Sequence, residues 1–180
     1  MVGVTGRKRH GKDSVAKVLV DTGLYKQVSF AEPLYQAVAK ILNVPVEWVY
    51  AHKDEQIKWL KGSPTVRSLL QTMGTEWGRD MIDPDLWIKL CTNKIDRYHY
   101  EHYSVVVSDV RFINEAVALI NKYGRRCRIW GVIKPDVKST DTSGHSSEQE
   151  IDKIITDSII HNNGTLEDLK NKVLHTLGES

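Results

Sequence analysis

Apolar and polar positions change their period along this 180-residue chain, and the changes mark out strands, helices and loops. Met1 to Thr5 is a short apolar run ending at Gly6, which predicts a strand. Val15, Val18, Leu19 and Thr22 then share one helical face, and Gly23 sits where a left-handed glycine closes a helix. Val28-Ser29-Phe30 reads as a second short strand. Glu32-Pro33 opens a helix with Leu34, Val38, Ile41 and Leu42 facing inward, proline being tolerated in a first turn. The pattern breaks around Pro45, and Tyr50 to Ser63 is polar enough to read as a mobile surface segment. Pro64 to Met73 is helical, with Val66, Leu69, Leu70 and Met73 on one side, and stops at Gly74. Asp83-Pro84-Asp85 caps a further helix through Trp87, Leu90, Cys91 and Ile95.

The second half has a different texture. Ser104 to Asp109 is continuous and β-branched, as expected of a strand buried on both faces of a parallel sheet. Val117, Ile120 and Asn121 continue as a helix ending at Gly124. Arg128 to Lys134 alternates Ile129, Gly131 and Ile133 with Trp130 and Val132, a fourth strand that Pro135 ends. Asp136 to Gln149 is the most polar stretch, a lid in character because core elements follow it. Ser158-Ile159-Ile160 is a fifth strand. Thr165 to Leu177 closes the chain as a helix with Leu166, Leu169, Val173 and Leu177 in register and a Thr165/Asp168 capping pair. Strands alternating with helices over this length predict one α/β domain.

Composition narrows the partners. A net charge of +2, from 25 basic and 23 acidic residues, gives no polyanion-binding bias, so nucleic acid is not an expected partner. No run of about 18 apolar residues occurs, so no membrane is expected either. Cys91 and Cys127 are in no metal or redox spacing and suit a reducing compartment; a soluble, cytoplasmic protein is expected. His99 and His102 lie three apart without a third ligand nearby, and predict a partly exposed helix end rather than a metal site.

The chemistry concentrates at two places. Gly6, four residues, then Gly11-Lys12-Asp13-Ser14, between a strand and a helix, is the spacing of a loop that wraps phosphates. Glycines let backbone N–H groups converge on phosphate oxygens, and the Lys12 ammonium reaches the outer ones. Asp13 stands where a Mg2+-ligating hydroxyl usually follows the lysine, with Ser14 one residue later. It is either a metal ligand or a first-turn acid favoured by the helix dipole. Arg7-Lys8-Arg9-His10 replaces the usual small residues, and its side chains are expected to point into solvent. The second place is Asp109-Val110-Arg111-Phe112-Ile113-Asn114-Glu115, at the C-terminal end of the valine strand, where open α/β sheets bind ligands. There an Asp109–Arg111 pair is either structural or part of a site. Gly74-Thr75-Glu76-Trp77-Gly78-Arg79 reads either as a binding loop or as a turn with a packing tryptophan.

Together these stretches resemble the phage deoxynucleoside monophosphate kinase family of P-loop kinases. The resemblance rests on Gly6-x4-Gly11-Lys12-Asp13-Ser14, Ser29-Phe30-Ala31-Glu32-Pro33-Leu34, Arg67-Ser68-Leu69-Leu70-Gln71 with Gly74-Thr75-Glu76, Ser108 to Ala116, His145-Ser146-Ser147-Glu148 and Asn162-Asn163-Gly164-Thr165. It implies a P-loop NTPase-like three-layer sandwich: a five-stranded parallel sheet flanked by helices, a helical substrate-binding insertion over about 43–103, and a lid over about 135–149. It implies transfer of the ATP γ-phosphate to a deoxynucleoside monophosphate, with Mg2+. The implied ATP-binding residues are Gly6, Arg9, His10, Gly11, Lys12, Asp13 and Ser14, and the implied metal ligands Asp13, Ser14 and Asp109. Lys12, Asp13, Arg111, Asp109 and Glu115 are the implied catalytic residues. Arg67, Trp77, Arg79, Arg111, Glu115, Trp130, His145 and Glu148 are expected on the substrate, and a homodimer is suggested. The competing readings are another small-molecule P-loop kinase, acting on dephospho-coenzyme A or a nucleoside, and a nucleotide-binding switch ATPase.

Overall fold

A computed structural model of the chain describes residues 1–135 and 150–178. The expected lid beyond Pro135, including Lys138, His145 and Glu148, lies outside the described residues. The described chain forms two compact units, residues 1–29 with 92–178, and residues 30–91.

The first unit is built on five strands, β1 (Val2–Thr5), β2 (Tyr25–Val28), β3 (Ser104–Val110), β4 (Arg128–Ile133) and β5 (Ser158–His161), in the order β2-β3-β1-β4-β5. Every neighbouring pair is parallel, so all five C-terminal ends emerge at one edge. Alternation of side chains across β1 explains the layers. Val2 and Val4 join Val15, Ala16 and Leu19 of α1 (Lys12–Asp21), Trp130 and Val132 of β4, and Leu169 and Val173 of α7 (Leu166–Gly178) in one core. Gly3 faces the other way, where a Cβ would lie 2.8 Å from Ile129 and 3.5 Å from Leu119 of α6 (Ile113–Tyr123). Helices therefore cover both faces, as a parallel sheet requires. The predicted C-terminal cap is present: Asp168 accepts from the Thr165 N–H at 2.8 Å and Thr165 Oγ1 accepts from Asp168 N at 3.2 Å. Leu166, expected inward, is exposed one turn before the buried Leu169.

The second unit is helical: α2 (Glu32–Leu42), α3 (Val46–Ala51), α4 (Val66–Thr72), a π-helical segment (Met73–Ile82) and the start of α5 (Leu86–Tyr100). Its core joins Leu34, Val38, Val49, Ile57, Val66, Leu70 and Trp87. Ile41, expected inward, is exposed. The segment Tyr50 to Ser63 is not a plain surface stretch. Ile57 is 5% exposed, its N–H donates to the Pro64 carbonyl at 2.8 Å, and Val66 N donates to Glu55 O at 3.0 Å.

Two boundaries differ from the sequence pattern. β2 occupies Tyr25–Val28 rather than Val28–Phe30, because it is an edge strand hydrogen-bonded only to β3 and only Val28 is fully buried. The helix through Leu70 does not stop at Gly74 but widens into the π-helical segment. The cause is the Trp87 indole, whose Nε1 donates to the Gly74 carbonyl at 2.8 Å and whose ring occupies the place a Cβ on Gly78 would need, 2.6 Å away.

Candidate active site

The loop between β1 and α1 is held in shape from several sides. Gly6 has φ +147° and Gly11 φ +102°, backbone that favours glycine. A Cβ on Gly6 would collide with the Val132 carbonyl, and one on Gly11 with the Asn162 side-chain amide. Arg9 also takes the left-handed region, at φ +65°, with its side chain exposed. Lys12 folds back so that Nζ donates to the Gly6 and Arg7 carbonyls at 2.6 and 3.0 Å. The ammonium is thereby stationed at the loop itself. Asp13 is exposed and Ser14 half-buried in the first turn of α1.

Of the side chains expected in solvent, His10 is not there and Arg7 is only half-buried. His10 is buried, with Nδ1 3.1 Å from the Val132 carbonyl. The Arg7 guanidinium grips Asp152 with two bonds, Nε to Oδ1 at 3.2 Å and Nη2 to Oδ2. The ordinary face of the loop was legible in the sequence; its attachments to residues more than a hundred positions away were not. Asn162, part of a resemblance motif but expected in no site role, is the clearest of these remote attachments. Its backbone N–H extends the ladder to Ile133 O at 2.8 Å, while its side-chain amide donates to the His10 carbonyl at 3.0 Å.

β1 and β3 are register neighbours, with Thr5 opposite Val110. Gly6 and Arg111, the next residue on each strand, thus leave the sheet side by side, about 5 Å being the ordinary spacing of paired strands. Arg111 is exposed. Asp109, half-buried at the end of β3, accepts from Ser29 Oγ at 2.8 Å. Among the described residues no ion pair joins Asp109 to Arg111, which leaves the structural-pair reading unsupported.

Glu115 was expected to face the substrate, but it is 2% exposed. Its Oε2 accepts from the Arg111 and Phe112 N–H groups at 2.9 and 3.1 Å. A carboxylate three or four residues into a helix reaches back to cap free N–H groups and is favoured there by the helix dipole. Glu115 therefore fixes the backbone that presents Arg111. Trp130, expected on the substrate, is instead fully buried in the sheet core beside Val4, Leu19 and Leu169.

The remaining candidates belong to the helical unit. Arg67, at the start of α4, is paired bidentately with Asp54, Nε–Oδ1 2.9 Å and Nη2–Oδ2 3.2 Å. Trp77 is 43% exposed on the π-helical segment, and Arg79 is half-buried two residues on. The stretch Gly74 to Arg79, expected as either a binding loop or a turn with a packing tryptophan, lies within this π-helical segment; π-turns inside helices occur often at functional sites. Near the end of α5, His99 packs edge-on against Tyr123 at 5.3 Å, and His102 sits in a left-handed turn. Among the described residues no group of three His, Cys, Asp or Glu could hold a metal ion.

Such an edge can accept two anionic groups, one in a preset backbone cradle and one on an exposed guanidinium. Comparison with known proteins agrees with that chemistry. A family model described as deoxynucleotide monophosphate kinase matches residues 46–173. A candidate deoxynucleotide monophosphate kinase of Acanthamoeba polyphaga mimivirus is 30% identical over 188 residues, spanning 97% of this chain and 94% of the relative. The deoxynucleoside-5′-monophosphate kinase of Escherichia phage T5 is 24% identical over 236 residues, spanning 96% and 94%. Among solved structures, a dephospho-CoA kinase from Campylobacter jejuni superposes with TM-score 0.55 at 13% identity, over 99% of this chain and 95% of that one. Shikimate kinase from Aquifex aeolicus gives 0.52 at 12% identity, over 98% and 95%. At these identities the two structures speak for the fold alone.

Proposed function

The chain belongs to the deoxynucleotide monophosphate kinase family, and from that premise we propose that the Gly6–Lys12 loop holds ATP while Arg111 holds the phosphate of a deoxynucleoside 5′-monophosphate. The reaction moves the γ-phosphoryl group to an acceptor oxygen, giving ADP and a deoxynucleoside diphosphate. One observation supports the residue assignment above the rest: the Thr5–Val110 register, which sends both loops off one edge of adjacent strands.

Phosphoryl transfer asks the protein for position and charge more than for covalent chemistry. The loop N–H groups and the α1 N-terminus hold the donor phosphates, and Lys12 exchanges its carbonyl partners for the γ-phosphoryl oxygens as charge spreads over them. Arg111 supplies a planar fork that can grip two phosphate oxygens. Asp109, held by Ser29, orients the acceptor side. In the helical unit, the Trp77 indole offers a face for base stacking. Arg67 is a weaker phosphate ligand because it must first release Asp54.

Mg2+ suits the donor set. In nucleotide sites it takes one or two protein oxygens, the rest coming from phosphate and water, and the exposed Asp13 carboxylate with the adjacent Ser14 hydroxyl provides hard oxygen ligands beside Lys12. The ion, when bound, neutralises phosphate charge. A coupled assay with ATP, Mg2+ and each common deoxynucleoside monophosphate tests the reading. ADP release dependent on at least one of them is expected; phosphorylation of a non-nucleotide acceptor alone would overturn it.

A further inference from the structure

Residues 150–154 form a short turn that touches both phosphate loops. Lys153 N donates to Glu150 O at 2.9 Å and Ile154 N to Ile151 O at 3.2 Å, which closes the turn. Ile151 and Ile154 are buried and anchor it. Between these anchors the turn presents two carboxylates in different directions. Glu150 Oε2 accepts from Ile113 N at 3.2 Å, two residues after Arg111. Asp152 takes the bidentate Arg7 guanidinium from the loop that carries Lys12.

We propose that this turn is a clasp coupling the donor loop to the acceptor loop, with Glu150 and Asp152 as positioning residues. It rests on the reading of Arg111 as the acceptor grip. The geometry has two halves. With Glu115 on the Arg111 and Phe112 N–H groups and Glu150 on that of Ile113, consecutive N–H groups at the start of α6 are already accepted. The backbone there is fixed and engaged, so the acceptor phosphate is left to the Arg111 side chain. On the other side, the Arg7–Asp152 pair constrains the residue that follows Gly6, whose carbonyl also receives Lys12. A donor that reorders Arg7 and Lys12 pulls on Asp152, and through the anchored turn on Glu150 and the base of Arg111. Contiguous bonded networks of this kind carry coupling between sites, and binding linkage makes the effect reciprocal.

The test measures deoxynucleoside monophosphate affinity by calorimetry, with and without a non-hydrolysable ATP analogue, in the wild-type protein and in Asp152→Asn, Glu150→Gln and Asp152→Glu. The wild type should bind the monophosphate about fivefold more tightly when the analogue is present. Asp152→Asn and Glu150→Gln should each bring that ratio close to one while monophosphate affinity without the analogue changes less than about twofold. Asp152→Glu, which keeps the charge, should restore part of the ratio. A simple loss of stability would weaken both ligands alike and leave the ratio unchanged. A wild-type ratio of one, or variants that keep the wild-type ratio, overturns the clasp with the acceptor assignment intact. Absence of any monophosphate binding overturns the acceptor assignment and the clasp with it.

Discussion

The donor loop and the acceptor loop leave adjacent strands at the same edge, yet they are built on opposite plans. The donor loop is backbone held by its neighbours: Val132 O receives His10, the Asn162 amide fills the space beside Gly11, and Lys12 bonds the loop's own carbonyls. The acceptor loop keeps its backbone N–H groups occupied by carboxylates and offers an exposed arginine. The difference teaches how one sheet edge sorts two phosphates. On the proposed assignment, a triphosphate would be gripped by a preset concavity with many N–H donors, and a monophosphate by one planar fork.

That contrast is best broken at its two cations. Lys12→Ala and Arg111→Ala should each lower kcat/KM on the order of a thousandfold, as expected when a group stabilising transition-state charge is removed. The thermal midpoint should hardly move, because Arg111 is exposed and Lys12 contributes no apolar burial to the core. Steady-state kinetics beside a melting curve separates the two effects.

A smaller effect sharpens the preset half of the comparison. Gly11→Ala puts a Cβ where φ is +102° and the Asn162 amide already sits. About 1–3 kcal/mol of strain is expected, with ATP affinity falling more than monophosphate affinity. Equal loss of both affinities would mean that the loop serves general stability and not donor binding.

Acid titration gives a smaller signal still. The Arg7 guanidinium bonded to Asp152 holds that carboxyl below its usual range, with partial burial opposing. A depressed folded-state pKa contributes stability that is fully present above the unfolded value of about 4 and is lost as pH falls through the lower folded value. Asp152→Asn should therefore narrow its stability difference from wild type as pH drops below about 4, with no change in the difference at neutral and mildly alkaline pH. Denaturant melts at a series of pH values check this.

The smallest expected change is at Trp130. Its buried Nε1 has no hydrogen-bond partner among the described residues. Trp130→Phe deletes an unpaired donor and opens a small cavity, terms of opposite sign and similar size, so stability should move by less than about 1 kcal/mol. Both KM values should stay as they are; an altered monophosphate KM would return Trp130 to the substrate site.

What could be read from the sequence was local. The apolar run before Gly6, the Gly11-Lys12 spacing, the buried valine strand and the Thr165/Asp168 cap each depend on residues within a few positions of one another, and each stands in the structure. The misreadings came from tertiary partners. Gly74 looks like a helix stop until the Trp87 indole is bonded to its carbonyl. Glu115 looks like a rim acid until it turns back on the N–H groups of Arg111 and Phe112. β2 hides because an edge strand such as Tyr25–Val28 needs no apolar run. Arg7 and His10 look like solvent residues because Asp152 and Val132 are remote in the chain. The sequence pattern thus pointed to the two candidate phosphate loops, and only the folded chain shows the residues 150–154 that bond to both.

Inhibition by a single molecule in which ATP and a deoxynucleoside are joined through their phosphates tests the shared edge most directly. If Lys12 and Arg111 serve neighbouring phosphates, the linked compound competes with ATP and with the monophosphate alike, and its affinity falls in both Lys12→Ala and Arg111→Ala. Competition with ATP alone, with affinity untouched by Arg111→Ala, would contradict the account.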